Sequence, residues 1–283
     1  MITRFITQDE YLDAKRIWGI CFPGDAGAFC DYYFKYRTNP QRIIAAFEGV
    51  DMLGTLHIIP QTLEFFGIPK PIGFVAGVAT LPQYRKMGIA AAMLKHSFAA
   101  MREAGHCATV LQPFDVGFYE KFGYAPFVYR REYSIDKAVL KGSCVLHEPG
   151  AAELLSMYCA FKARYNGMML RKESDMETLL AEREGGARFV ATDTAYAMYY
   201  EDSCIDVMEL AGENLQPLLA QLNSRAALKV RLPADVKLGM DGELAPFNML
   251  KVLNETELLR ALPCNVDGLL HAASDANYSF ESY

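Results

Sequence analysis

The chain has 283 residues, of which 52% are hydrophobic and 22% charged, with a formal net charge of −6. That length accommodates two domains, each with its own core. The acidic balance argues against a nucleic-acid surface, which requires a basic face, and is compatible with a cationic acceptor. No apolar run reaches the roughly 20 residues that span a bilayer, and the opening MITRFITQDEYLDAK lacks the apolar core of a signal peptide. Seven scattered cysteines give neither a disulfide framework nor a CxxC metal pair. The expectation is a cytoplasmic protein with no metal, no membrane partner and no nucleic-acid partner.

Residues 1–6 read as a first strand. Thr7 or Asp9 is placed to cap a helix carrying Tyr11, Leu12, Ala14, Ile17 and Trp18. The aromatic-rich stretch CFPGDAGAFCDYYFKY (residues 21–36) is broken by Pro23 and Gly24. Residues 42–47 and 52–60 form an expected hairpin around Glu48-Gly49-Val50-Asp51. Residues 61–66 continue outward to a second turn marked by Gly67, Pro69 and Pro71. His57 lies inside the hairpin, either as a structural histidine or as a proton acceptor facing a groove.

The central stretch is GFVAGVATLPQYRKMGIAAAMLKHSFAAMR, residues 73–102. Residues 74–80 are apolar and free of charge, as in a buried strand, and Pro82 interrupts the run. Ala90, Leu94, Phe98 and Met101 then fall on one stripe of a helix that Gly105 is placed to stop. The first amides of such a helix point outward with the positive end of its dipole behind them. That arrangement suits a pyrophosphate. Gly88 and Ala90 keep side chains clear of it, and Arg85 and Lys86 add charge at the rim. A plain strand–turn–helix with two incidental cations would read the same way.

Arg85-x-x-Gly88-x-Ala90, between a strand and a helix, resembles the acetyl-CoA signature of the GNAT N-acetyltransferases. GFYEKFGY, residues 117–124, resembles the tyrosine-bearing block that follows it in that superfamily, with helix, strand (108–112) and loop between the two. The wording VATLPQYRKMGIA with FYEKFGY is most similar to the Eis-like branch, in which an active GNAT domain precedes a degenerate one.

A strand over residues 128–135 closes the first domain, giving boundaries of 1–136. A linker (137–150) precedes two helices, 151–165 and 174–184, the second with Ser174 and Glu177 at capping-box spacing. Strands at 188–192, 195–200 and 205–210, a helix at 214–223 and a strand at 227–232 repeat the order of the first domain. In place of the first domain's turn stands Ala211-Gly212-Glu213-Asn214-Leu215, which has no cation and carries a carboxylate. The second domain (151–240) is therefore expected not to bind CoA. FNMLKVLNETELLRAL, residues 247–262, resembles the segment leading into the sterol-carrier-like third domain of Eis-like proteins, and 241–283 reads as a tail. The fold class expected is mixed α/β, two tandem GNAT-like domains with largely antiparallel sheets.

The resemblance implies acetyl transfer from acetyl-CoA to a primary amine of a small molecule, with an aminoglycoside-like acceptor suggested by the Eis-like wording. It implies that Val78, Ala79 and Thr80 align the pantetheine and that Arg85, Lys86, Met87, Gly88, Ile89 and Ala90 hold the pyrophosphate. Tyr119 matches the general acid. The Eis-like pattern uses the C-terminal carboxylate as base, here that of Tyr283, with a water relay to Asp25 as the other route. Phe22, Asp25, Tyr32 and Tyr33 are acceptor-pocket candidates by the same layout, or else core aromatics under the helix. Phe114 stands where the family often has serine. A non-catalytic acyl-CoA sensor or scaffold is the alternative function, and an oligomer is compatible with either.

Overall fold

The computed structural model describes residues 1–136, 139–222 and 227–271. These divide into two compact units, one of Met1–Ala125 with Met249–Val266, the other of Pro126–Asn248 with the last helix from Asp267 onward.

In the first unit the chain runs β1 (Ile2–Phe5), α1 (Tyr11–Cys21), α2 (Ala28–Tyr32), β2 (Ile43–Glu48), β3 (Asp51–Phe65) and β4 (Ile68–Thr80). It continues through α3 (Ile89–Glu103), β5 (Ala108–Leu111) and α4 (Val116–Glu120). Strands β1 to β4 form an antiparallel meander, and β5 joins parallel to β4 after the α3 crossover. The sheet is closed by residues 249–252, the end of β12 (Glu243–Val252), which run antiparallel to β5.

The turn before β4 falls at Phe66 and Gly67, so that Pro69 and Pro71 lie inside the strand rather than in a second turn. The missing donors cost little there. Pro71 directs its carbonyl to Cys107 N–H, 3.0 Å away, and residue backbones in a strand present N–H and C=O to the same side. Both prolines therefore turn their nitrogens away from β3, at the end where the β5 ladder has not yet begun.

Helix α3 buries Ile89, Met93, Leu94, Phe98 and Met101, the period expected of an amphipathic helix. It ends in a Schellman arrangement in which His106 N–H donates to Met101 O at 2.9 Å across Gly105. Its apolar face packs with Leu53, Leu56, Val75, Leu111, Tyr119 and Tyr124, and with Met249 and Leu253 of the returning segment. Lys70, almost fully buried, anchors that segment by donating to the carbonyls of Glu257 and Arg260 at 2.9 and 2.6 Å, at the open end of α8 (Glu255–Leu259).

The second unit contains β6 (Ala125–Ile135), α5 (Ala151–Lys162), the two-residue β7 (Met168–Met169), α6 (Glu173–Leu180), β8 (Arg188–Ala191) and β9 (Ala195–Glu201). It adds β10 (Ile205–Gly212), α7 (Leu215–Gln221) and β11 (Leu228–Pro233), and α9 (Val266–His271) ends the described chain. The order β8, β9, β10 is antiparallel, β11 joins parallel after α7, and β6 closes the sheet antiparallel to β11. The plan of the first unit from β2 onward is thus repeated, with no named strand among the described residues in the place of β1. The cap of α6 lies two residues upstream of the Ser174–Glu177 box, with the Asp175 carboxylate accepting from Lys172 N–H at 2.8 Å.

Met249 is fully buried among first-unit side chains although more than 120 residues separate it from α4. Met249→Ala should cost about 2–5 kcal/mol, read from the midpoint of urea unfolding.

Candidate active site

The parallel ladder between β4 and β5 ends at Val75↔Leu111. Beyond it, residues 76–80 keep only β3 as a neighbour, and the β3–β4 register shifts there, from His57↔Ala76 to Thr55↔Ala79, with one extra residue on β4. A bulge and the loss of one neighbour together turn this end of β4 into an open edge.

The chain then makes the 3-10 turn Pro82–Tyr84 and enters α3 through two left-handed residues, Lys86 (φ 66°) and Gly88 (φ 79°). A Cβ built on Gly88 would meet nothing within 4 Å, so the space above the turn is open. The amides of residues 88–91 have no acceptor among the described residues, the first helical bond being Ala92 N–H to Gly88 O. Four donors, the dipole of a 15-residue helix and two cations thus face one opening. Arg85 is held there by its Nε, which donates to Thr80 O at 3.2 Å.

The opening leads into a cavity of about 510 Å³ lined by the end of β4, the turn, the start of α3, Cys21 and Phe22 at the end of α1, Phe114 ahead of α4, and Phe118 within it. Cys21 donates its thiol to Thr80 O at 3.5 Å, and burial raises its pKa against the opposing effect of Arg85. Helix α4 is capped by Asp115, whose carboxylate accepts from Phe118 N–H at 2.9 Å. The cap fixes Tyr119, which packs against the rings of Phe114, Phe118 and Tyr124 at centroid distances of 5.4, 5.0 and 5.8 Å. Tyr119 is 2% exposed, and burial raises its pKa, so the hydroxyl keeps its proton through the neutral and mildly alkaline range.

Residues 3–127 match the family model of the acetyltransferase (GNAT) domain. The first unit is built on a GNAT acetyltransferase domain. No curated protein matches the sequence. Among solved structures, the chain is similar to a probable N-acyltransferase from Enterococcus faecalis V583, with a TM-score of 0.75, 14% identity, and coverage of 91% of this chain and 74% of that one. A GCN5-related N-acetyltransferase from Kribbella flavida gives a TM-score of 0.72 at 18% identity, covering 92% and 73%. Eis1 from Mycobacterium abscessus gives 0.66 at 16%, covering 89% and 74%. At these identities the likeness is one of fold, and it extends over both units.

The GNAT domain brings together the residues singled out around its turn. Val78, Ala79, Thr80, Arg85, Lys86, Gly88, Ile89 and Ala90 all line the cavity, with Met87 exposed in the turn between them. Phe22 joins them from α1. Tyr32 and Tyr33 are buried in the core and contribute nothing to the cavity wall. Asp25 is exposed to solvent, yet close enough to protein for desolvation to raise its carboxyl pKa. Tyr283 lies outside the described residues. Cys21, Tyr84, Phe114 and Phe118 also line the cavity; the sequence marked Phe114, as the residue departing from the family pattern, and Phe118, as part of the block at residues 117–124. Among the described residues no helix is long and apolar enough to cross a membrane, and no His, Cys, Asp or Glu group could hold a metal.

The second unit repeats the bulge, with Met208 the extra residue of β10, but its turn differs. Only Glu213 and Asn214 separate β10 from α7, neither is a cation, and Asn214 rather than a glycine is the left-handed residue (φ 54°) in front of the helix. Beside the bulge, Glu209 is buried and accepts both guanidinium nitrogens of Arg171, at 2.7 and 3.0 Å, and the Tyr196 hydroxyl.

His57 faces no groove. Its ring is fully buried, Nδ1 pairs with the Tyr33 hydroxyl at 2.9 Å, and desolvation lowers its pKa to about 3. The folded pKa is thus below the ordinary value near 6.5, and between the two the unfolded chain binds more protons. Stability is complete above pH 6.5 and falls as pH drops toward 3, by up to about 1.4 kcal/mol per unit. Urea midpoints at pH 7, 5 and 4 should show that slope in the wild type, and His57→Gln should lose this part of it.

Proposed function

We propose that the GNAT domain transfers an acetyl group from acetyl-CoA to a primary amine of a small molecule. The observation that carries this reading is the set of unpaired amides at residues 88–91 under the open space at Gly88. In this reading they receive the pyrophosphate, with Arg85 and Lys86 adding charge. The open edge at Val78, Ala79 and Thr80 aligns the pantetheine and polarises the thioester carbonyl.

The amine nitrogen attacks the thioester carbon, the C–S bond breaks, and the electron pair leaves on sulfur. Tyr119 gives its hydroxyl proton to that thiolate. The ammonium proton leaves through water to Asp25. The acidic chain favours a polycationic acceptor, and aminoglycoside-like amines are the first class to test. The second unit, whose turn carries Glu213 and no cation, serves this chemistry only as scaffold.

Thiol release from acetyl-CoA over a panel of amines tests the activity. Tyr119→Phe should lower kcat by roughly ten- to ten-thousand-fold and leave CoA affinity within a factor of about two. Gly88→Val should weaken CoA binding in calorimetry, because the side chain strains a left-handed position and fills the anion's space. Tight CoA binding with no amine-dependent release would make the protein an acyl-CoA sensor instead.

A further inference from the structure

Gly77 sits at the point where β4 leaves β5, inside the bulge, with φ +56°. A Cβ there would lie 2.6 Å from Cζ3 of Trp18 and 3.3 Å from Cδ2 of His57. Trp18, 2% exposed, stacks on Tyr33 at 4.5 Å and 27°. Tyr33 stacks in turn on His57 at 5.5 Å and 28°, and the two are tied by the bond from the hydroxyl to Nδ1. Phe34 closes the group edge-on to the indole and the imidazole, at 5.9 and 5.6 Å. Phe22, which lines the cavity, packs on Trp18 at 4.9 Å.

Filling the core does not account for the choice of residues. His57 Nε2 is buried without a partner among the described residues, as are Trp18 Nε1 and the hydroxyl of Thr55 two positions away on β3. Each orphaned polar atom costs free energy that an apolar residue of similar shape would not. The block does have a mechanical use. Beyond Val75 the strand has one ladder, and the bulge interrupts it, so hydrogen bonds alone do not fix its direction. A rigid stack pressed onto a residue with no side chain does.

We propose that Trp18, Tyr33 and His57 are positioning residues for the transfer: stacked on Gly77, they set the direction in which residues 78–80 present their backbone to the acyl donor. This rests on the acetyl-CoA reading above. The three touch no reacting atom and act through the strand.

The test uses the full chain with Gly77→Ala, Trp18→Phe and Tyr33→Phe, following the KM for acetyl-CoA, kcat and the thermal midpoint. Gly77→Ala should raise KM for acetyl-CoA about tenfold or more, since small misplacements of a reacting group are costly. Adding Trp18→Phe should recover part of the loss by making room for the methyl. Tyr33→Phe removes only a hydroxyl and decides the matter if Gly77→Ala fails to fold; it should lower kcat/KM for acetyl-CoA at least about threefold. A stack that is merely structural lowers the thermal midpoint and leaves KM and kcat unchanged. KM and kcat within twofold of wild type in every folded variant would overturn the proposal while leaving CoA binding by the wild type intact. No heat of CoA binding to the wild type would instead overturn the acetyl-CoA reading itself.

Discussion

Everything at the candidate site depends on one strand keeping its shape with hydrogen bonds on a single side. Most interior strands are held by two ladders, and β4 has two only as far as Val75. Past that residue it must remain extended beside β3 alone, carry a bulge, and end in a turn that feeds a long helix. The unpaired edge and the unpaired helix amides are two consequences of the same departure from β5. Both leave backbone donors exposed to a cavity, and backbone donors need no side chain to recognise phosphate or carbonyl oxygen.

The second unit shares the architecture of the first and differs from it at the turn. It has the same order of strands, the same parallel crossover and the same bulge. Its equivalent of the open turn is two residues, Glu213 and Asn214, with a carboxylate and no cation, and a buried ion pair with a tyrosine hydroxyl occupies the neighbourhood of its bulge. A buried pair with every oxygen satisfied is stable in place and strongly disfavours losing one member.

The features legible in the sequence were those determined locally. The apolar run at residues 74–80, the glycine at 88 and the stripe of α3 each follow from a few neighbouring residues, and the helix forms almost where periodicity places it. What escaped was set by distant partners. Pro69 and Pro71 signalled a turn because nothing nearby reveals that their nitrogens face an unpaired side of β4. A strand histidine such as His57 is more often structural than catalytic, but the rings that enclose it, those of Trp18 and Tyr33 among them, come from distant parts of the chain. Residues 247–262 read as a tail, since their partner strand β5 stands 140 residues earlier.

That last pairing has a counterpart. Strand β6 follows α4 in the chain but closes the sheet of the second unit, while the end of β12 follows the second unit and closes the sheet of the first. Neither sheet is therefore complete in any contiguous half of the polypeptide. On the ribosome, the amino-terminal sheet must wait with one flank of β5 unpaired until residue 252 has emerged. A gene fragment ending at the family boundary near residue 127 would encode a protein with a missing stave.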